Sequence, residues 1–134
     1  MTAYVRLRVA SEQYAIPVQH VVEVAELGQV ATVPGAPPQI LGLRNLRGQI
    51  LPAVDLALIL GVPRARPPPR MLVAEAEGSR AAFAIDEVSG VGELADPTEE
   101  AEGELLLGAT LADGELIGVI DVSGVFTSLE QACL

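Results

Sequence analysis

A chain of 134 residues suits one domain with a sizeable core, and with 50% hydrophobic residues, 3% aromatics and no Trp that core must be built from Val, Leu, Ile and Ala. The formal net charge is −10 and all eight basic residues are Arg, which disfavours nucleic acid or an anionic membrane surface as a partner. Mean hydropathy is +0.41, yet no apolar run reaches the length that spans a bilayer and no signal-peptide block follows the N-terminus, so a cytoplasmic protein without membrane insertion is expected.

In chain order, residues 3–9 alternate as a half-buried strand, Ser11, Glu12 and Gln13 make a turn, and Tyr14, Ala15 and Ile16 begin a second strand that Pro17 ends. Val18, Val21 and Val22 fit one helical turn, and Val22, Glu23 and Val24 resume an extended pattern. Residues 33–39 hold three prolines and a glycine, a rigid connector into the segment 40–60. That segment reads as strand, tight turn at Arg47 and Gly48, strand, then a short helix capped by Asp55 and stopped by Gly61 and Pro63.

The proline-rich run at 63–70 is expected to be an extended spacer and the boundary between two halves. Residues 71–76 and 81–85 pair as a hairpin, 88–94 is short and mixed, and 95–104 is loop. Residues 105–111 then pair with 116–120, and a short helix follows Asp121, weakened by Ser123 and Gly124. The acidic run of Glu93, Asp96, Glu99, Glu100, Glu102 and Glu104 reads as a solvated loop.

The segment 40–60 recurs 66 residues later: Leu41, Gly42, Gly48 and Asp55 meet Leu107, Gly108, Gly114 and Asp121 without a gap. Apolar positions keep register too, with Ile50, Leu51 and Val54 meeting Leu116, Ile117 and Ile120. Two structurally equivalent halves are the simplest reading. Many short strands with turns every eight to twelve residues make the fold all-β and point to small barrels.

No constellation of catalytic side chains is complete. Asp55 and Asp121, one per half, raise a duplicated-barrel aspartyl hydrolase in which two carboxylates share a proton. Each instead ends a strand before an apolar run, where a carboxylate caps a helix, and neither is followed by a Thr-Gly or Ser-Gly turn. His20 is the sole histidine and no serine stands in a nucleophile motif; no phosphate loop, dinucleotide fingerprint or H-E-x-x-H is present. A lone Cys133 forms neither an internal disulfide nor a metal site, so no metal and no cofactor is expected.

Four segments, YAIPVQHVVEV at 14–24, VPGAPPQILGLRNLRGQILPAVDL at 33–56, AIDEVSGV at 84–91 and the closing LGATLADGELIGVIDV, carry a resemblance that covers almost the whole chain. In these the sequence resembles the CheW-like coupling proteins of bacterial chemotaxis, the NLRG run from Asn45 to Gly48 being the most specific match. The resemblance implies two five-stranded β-barrel subdomains around a shared hydrophobic core, with strand exchange and short helices after Asp55 and near the C-terminus. It implies a non-enzymatic adaptor that joins the cytoplasmic tip of methyl-accepting chemoreceptors to the regulatory domain of a CheA-type histidine kinase, at membrane-bound receptor arrays. A scaffold of a non-flagellar kinase pathway, for surface motility or gene control, is the alternative.

By the same resemblance, Arg47 with Asn45 stands where the family couples receptor to kinase, and Val21, Glu23 and Val88 border the groove that takes the receptor tip. Read from the residues alone, Arg47 is a solvated turn residue and the valines are ordinary core. Two departures stand out: the segment 95–107 is shorter than usual in the family, and Ala57 replaces an arginine often found after Asp-Leu.

Overall fold

The structure, a computed structural model, describes residues 2–98 and 105–132. The alternation at the N-terminus does form a strand, β1 (Thr2–Val9), joined through a two-residue turn at Ala10 and Ser11 to its antiparallel partner β2 (Glu12–Pro17). A 3-10 turn over Val18–His20 replaces the longer helical turn expected as far as Val22, because β3 (Val21–Glu26) already pairs at Val21. The central hairpin is β4 (Ile40–Leu46) and β5 (Gln49–Asp55), followed by helix α1 (Leu56–Leu60). Then come β6 (Arg70–Ala76), β7 (Ser79–Ile85), β8 (Glu87–Leu94), β9 (Leu106–Ala112), β10 (Glu115–Ile120) and helix α2 (Val122–Ala132).

Among the described residues the strands make two five-stranded sheets, ordered β8-β1-β2-β10-β9 and β3-β6-β7-β5-β4. Position for position the two orders match once β1–β5 are superposed on β6–β10. Each sheet takes the leading hairpin of one repeat and the last three strands of the other, so the repeats exchange strands. The chain passes from the first sheet to the second at the 3-10 turn and returns at Asp86, between β7 and β8. In each sheet one parallel pair, β2 with β10 and β7 with β5, joins the two contributions.

This corrects the role given to the proline-rich run. It lies between the repeats, yet it joins α1 to β6 within the residues of the second sheet, so the sheets do not divide there. Nor is it a free spacer: Pro68 is buried, the Leu27 amide donates to the Pro69 carbonyl at 3.0 Å, and Arg64 Nη2 donates to Asp55 Oδ2 at 2.7 Å.

Side-chain parity explains the layering. In β6 and β7, Met71, Val73, Ala82 and Ala84 fill a small interior within the second sheet, whereas Leu72, Ala74, Phe83 and Ile85 face the other way. The first sheet has its own interior of Tyr4, Ala15, Ile117 and Val119. Between the sheets lies the largest cluster, which Leu7, Ile16, Phe83, Ile85 and Ile120 share with Leu56 of α1 and Val122, Val125 and Leu129 of α2. The shared core is thus built by strands apolar on both faces, which is why they read as nearly continuous hydrophobic runs.

Two elements exceed their expectation. Helix α2 runs for 11 residues despite Ser123 and Gly124, because Asp121 Oδ1 accepts the Gly124 amide at 3.1 Å and three of its residues are sunk in the core. Strand β8 is eight residues long, held along β1 with one register shift, and its glycines had hidden it. Ala57 is buried in α1. Cys133 and Glu99, Glu100, Glu102 and Glu104 lie outside the described residues.

Two of the glycines aligned by the repeat admit a close backbone approach. Gly42 and Gly108 adopt φ of 151° and 148°, and a Cβ on either would run into a backbone carbonyl, that of Ala31 or Thr98. Those carbonyls belong to segments laid on β4 and β9, through the bridges Ala31 to Leu43 and Thr98 to Ala109. Gly42→Ala or Gly108→Ala should therefore cost about 2–3 kcal/mol by urea unfolding. Gly48→Ala, whose Cβ meets open space, should cost about 1 kcal/mol, the left-handed φ of 86° being its sole penalty.

The two aspartates are likewise equivalent in the cap and unequal beyond it. Asp55 Oδ1 accepts the Leu58 amide at 3.2 Å while Oδ2 holds Arg64, and both side chains are largely buried, at 10% and 20% exposure. Asp55→Ala should cost about 3 kcal/mol, because it removes a cap and strands a guanidinium. Asp121→Ala should cost about 1 kcal/mol for the cap alone. A difference of less than about 1 kcal/mol between the two urea curves would show that the Arg64 pair contributes nothing.

Candidate partner-binding site

The hairpin of β4 and β5 turns through Arg47 and Gly48, both at positive φ, 52° and 86°, which is the backbone of a two-residue turn matched to the twist of its strands. Asn45 Oδ1 accepts the Gly48 amide at 2.9 Å, so Asn45 braces the turn from within. Arg47 thus stands at the hairpin tip with its side chain 70% exposed, its Nη2 hydrogen-bonded to Glu23 Oε1. In the other repeat the same turn is Asp113 and Gly114, and Asp113 accepts from Arg6 Nη1 at 3.0 Å.

The Arg47–Glu23 pair has a structural meaning that spacing did not reveal. Glu23 lies on β3 and Arg47 follows β4, and these are opposite edges of the second sheet. The sheet curls until its edges meet, and side chains latch them. Arg44 adds a second latch, Nε donating to the Leu27 carbonyl at 2.6 Å. The first sheet repeats the device with Thr110, 66 positions on, whose hydroxyl donates to the Ala95 carbonyl at 2.8 Å. The expected barrels are therefore curled sheets whose edge strands do not pair through the backbone among the described residues.

Val21 and Val88 occupy equivalent places, Val21 opposite Ala74 and Val88 opposite Leu7, and both are half-buried against the shared core. The structure brings Arg47, Asn45 and Glu23 together at the latched edges. It sets Val21 beside Glu23 on β3, and Val88 on the edge strand of the other sheet. More exposed apolar side chains stand nearby in the same strands, Val22 and Val24 on β3 and Val91 on β8. Leu111 and Leu116, a directly opposed pair on β9 and β10, are 65% and 72% exposed. The signal that could have found them is strand parity, since each neighbours a buried residue, Ala112 or Ile117, on the opposite face.

The carboxylates of Asp55 and Asp121 are occupied by their caps, and they end strands in different sheets. His20 Nδ1 lies 2.9 Å from the Glu75 carbonyl oxygen, and Ser89 donates to Gln13 at 3.3 Å. Burial pushes the Tyr14 phenol above its ordinary range, helped by the carboxylate of Glu12. No helix among the described residues is long and apolar enough to cross a membrane.

Comparison with known proteins agrees with the geometry. A family model described as CheW-like domain matches residues 3–130. The chain is 28% identical to the chemotaxis protein CheW of Rhizobium meliloti (strain 1021) over 137 residues, covering 95% of this chain and 88% of that protein. It is 30% identical to protein FrzA of Myxococcus xanthus over 135 residues, covering 92% and 84%. The solved structure of the scaffolding protein TtCheW from Thermoanaerobacter tengcongensis superposes with a TM-score of 0.78 at 25% identity, over 90% of this chain and 89% of that one. The chain belongs to the CheW-like domain family, whose members are scaffold and adaptor proteins rather than enzymes.

Proposed function

We propose that this chain couples methyl-accepting chemoreceptors to a CheA-type histidine kinase, working in the cytoplasm at receptor arrays and holding both partners at once. The observation that carries the reading is Arg47, an exposed guanidinium fixed at a braced hairpin tip and already oriented by Glu23. A planar cation held this way presents its remaining donors to a partner's carboxylate or carbonyl with little further loss of side-chain freedom. Asn45 and Glu23 position it. Val21 and Val88 supply short aliphatic walls on the two edge strands, suited to an apolar face of a helical receptor tip. The relatives named CheW support the chemotaxis setting, and the structural neighbour, a scaffolding protein, supports scaffolding.

FrzA, a relative at similar identity that does not carry the CheW name, favours a second reading, a scaffold of a kinase pathway outside flagellar chemotaxis. The genes beside this one separate the two.

Arg47→Ala tests the coupling. The Arg47–Glu23 pair is solvent-screened, so its loss should move the urea midpoint by no more than about 0.5–1 kcal/mol. Removing a desolvated interface guanidinium should weaken co-sedimentation with receptor and kinase by about 2 kcal/mol, roughly thirtyfold in affinity. Intact assembly would remove Arg47 from the interface, and a collapsed midpoint with proportionate loss of assembly would make it a barrel latch alone.

A further inference from the structure

A second charged feature shares no residue with the Arg47 site. Three of the eight arginines, Arg8, Arg64 and Arg66, line one cleft of about 320 Å³ whose sole acidic lining residue is Asp86. In a chain of net charge −10 this concentration of cations is anomalous. Asp86 forms no ion pair with them among the described residues: it is buried, its Oδ2 accepts the Ala10 amide at 2.5 Å and its own amide donates to the Arg8 carbonyl at 3.0 Å, which fixes the β1–β2 turn as one wall.

The arginines keep donors in reserve. Arg64 spends Nη2 on Asp55, while its Nη1 is buried and meets no acceptor among the described residues. Arg8 bonds the Ala10 carbonyl at 2.6 Å and reaches Glu87 at 3.4 Å. Arg66 is exposed and forms no ion pair among the described residues. Buried or half-buried donors of this kind are met by an acceptor in most proteins.

The cleft also belongs to one side of the molecule. The pairings that set Val21 opposite Ala74 and Val88 opposite Leu7 put Glu75 in the place of Arg8 and Gln19 in that of Asp86, and Glu130 stands 66 residues after Arg64, so the duplicated fold does not require it. Arg64 and Arg66 also border an adjoining groove of about 550 Å³, whose other walls include Leu27, Val30, Leu41, Pro67 and Pro68. Cation at one end and aliphatic wall along the other define the ligand. Neither space has an aromatic lining residue, which leaves a nucleobase nothing to stack on.

We propose that this cleft and groove dock an extended peptide segment of a partner protein, an acidic side chain held by Arg8, Arg64 and Arg66 and flanking aliphatic side chains laid against Leu27, Leu41 and Pro68. The guanidinium fork matches a carboxylate bidentately, and clusters of arginine are a recurrent means of reading acidic motifs.

The test follows the arginine Nε–H signals in ¹H–¹⁵N spectra of the full chain. The probe is an acetylated, amidated peptide with one glutamate flanked by valines and leucines; its glutamine counterpart and inorganic phosphate are the controls. The expected result is a saturable shift of the Arg8, Arg64 and Arg66 signals with the glutamate peptide alone, weakened about three- to tenfold in Arg66→Gln and by added salt. Arg66 is exposed, so this variant folds even where changes at Arg64 do not. An equal response to phosphate, an adventitious ion only, overturns the proposal. So does an equal response to the glutamine peptide, an unchanged affinity in Arg66→Gln, or no shift at all.

Discussion

A sheet with free edges exposes rows of unpaired backbone donors and acceptors, and managing those edges is the constraint on which this molecule is built. Exchange removes half of the difficulty. The leading hairpin of each repeat lies inside the other repeat's sheet, flanked on both sides. The remaining edges, β3 with β4 and β8 with β9, are brought round and latched by side chains: Arg44 and Arg47 on one sheet, Thr110 on the other. Gly42 and Gly108 admit the overlying segments that cover the outer strands. One result is that Arg47 belongs at once to the fold's closure and to its outward face.

The duplication was legible because its markers are local. A glycine forced to φ near 150°, a turn glycine and a helix cap each demand one residue type at one position, so they survive where apolar side chains drift. Exchange was not legible from residues, since a strand apolar on both faces pairs as readily with its own repeat as with the other. The proline run misled for the same reason: stiffness marks where a repeat ends, not which sheet its flanks join. Helix α2 was underestimated because propensity at Ser123 and Gly124 is a small penalty beside three side chains in the core.

At the site, Arg47 was identified through the resemblance and its partner was not derivable. Glu23 lies 24 positions earlier, and the two meet because the sheet curls. The exposed leucines on β9 and β10 were hidden by a different habit, that of counting every apolar strand residue as interior. The alternation of burial along these two strands shows which face each leucine takes. Likewise, Asp55 and Asp121 look like a catalytic pair only in one dimension; in three, each has its Oδ1 engaged by its own helix, and the two end strands in different sheets.

The chain crosses between the sheets twice, at Val18–His20 and at Asp86. Mechanically these are two covalent pins through a packed joint. A load that separates the sheets is carried by peptide bonds at both crossings as well as by the packing between them.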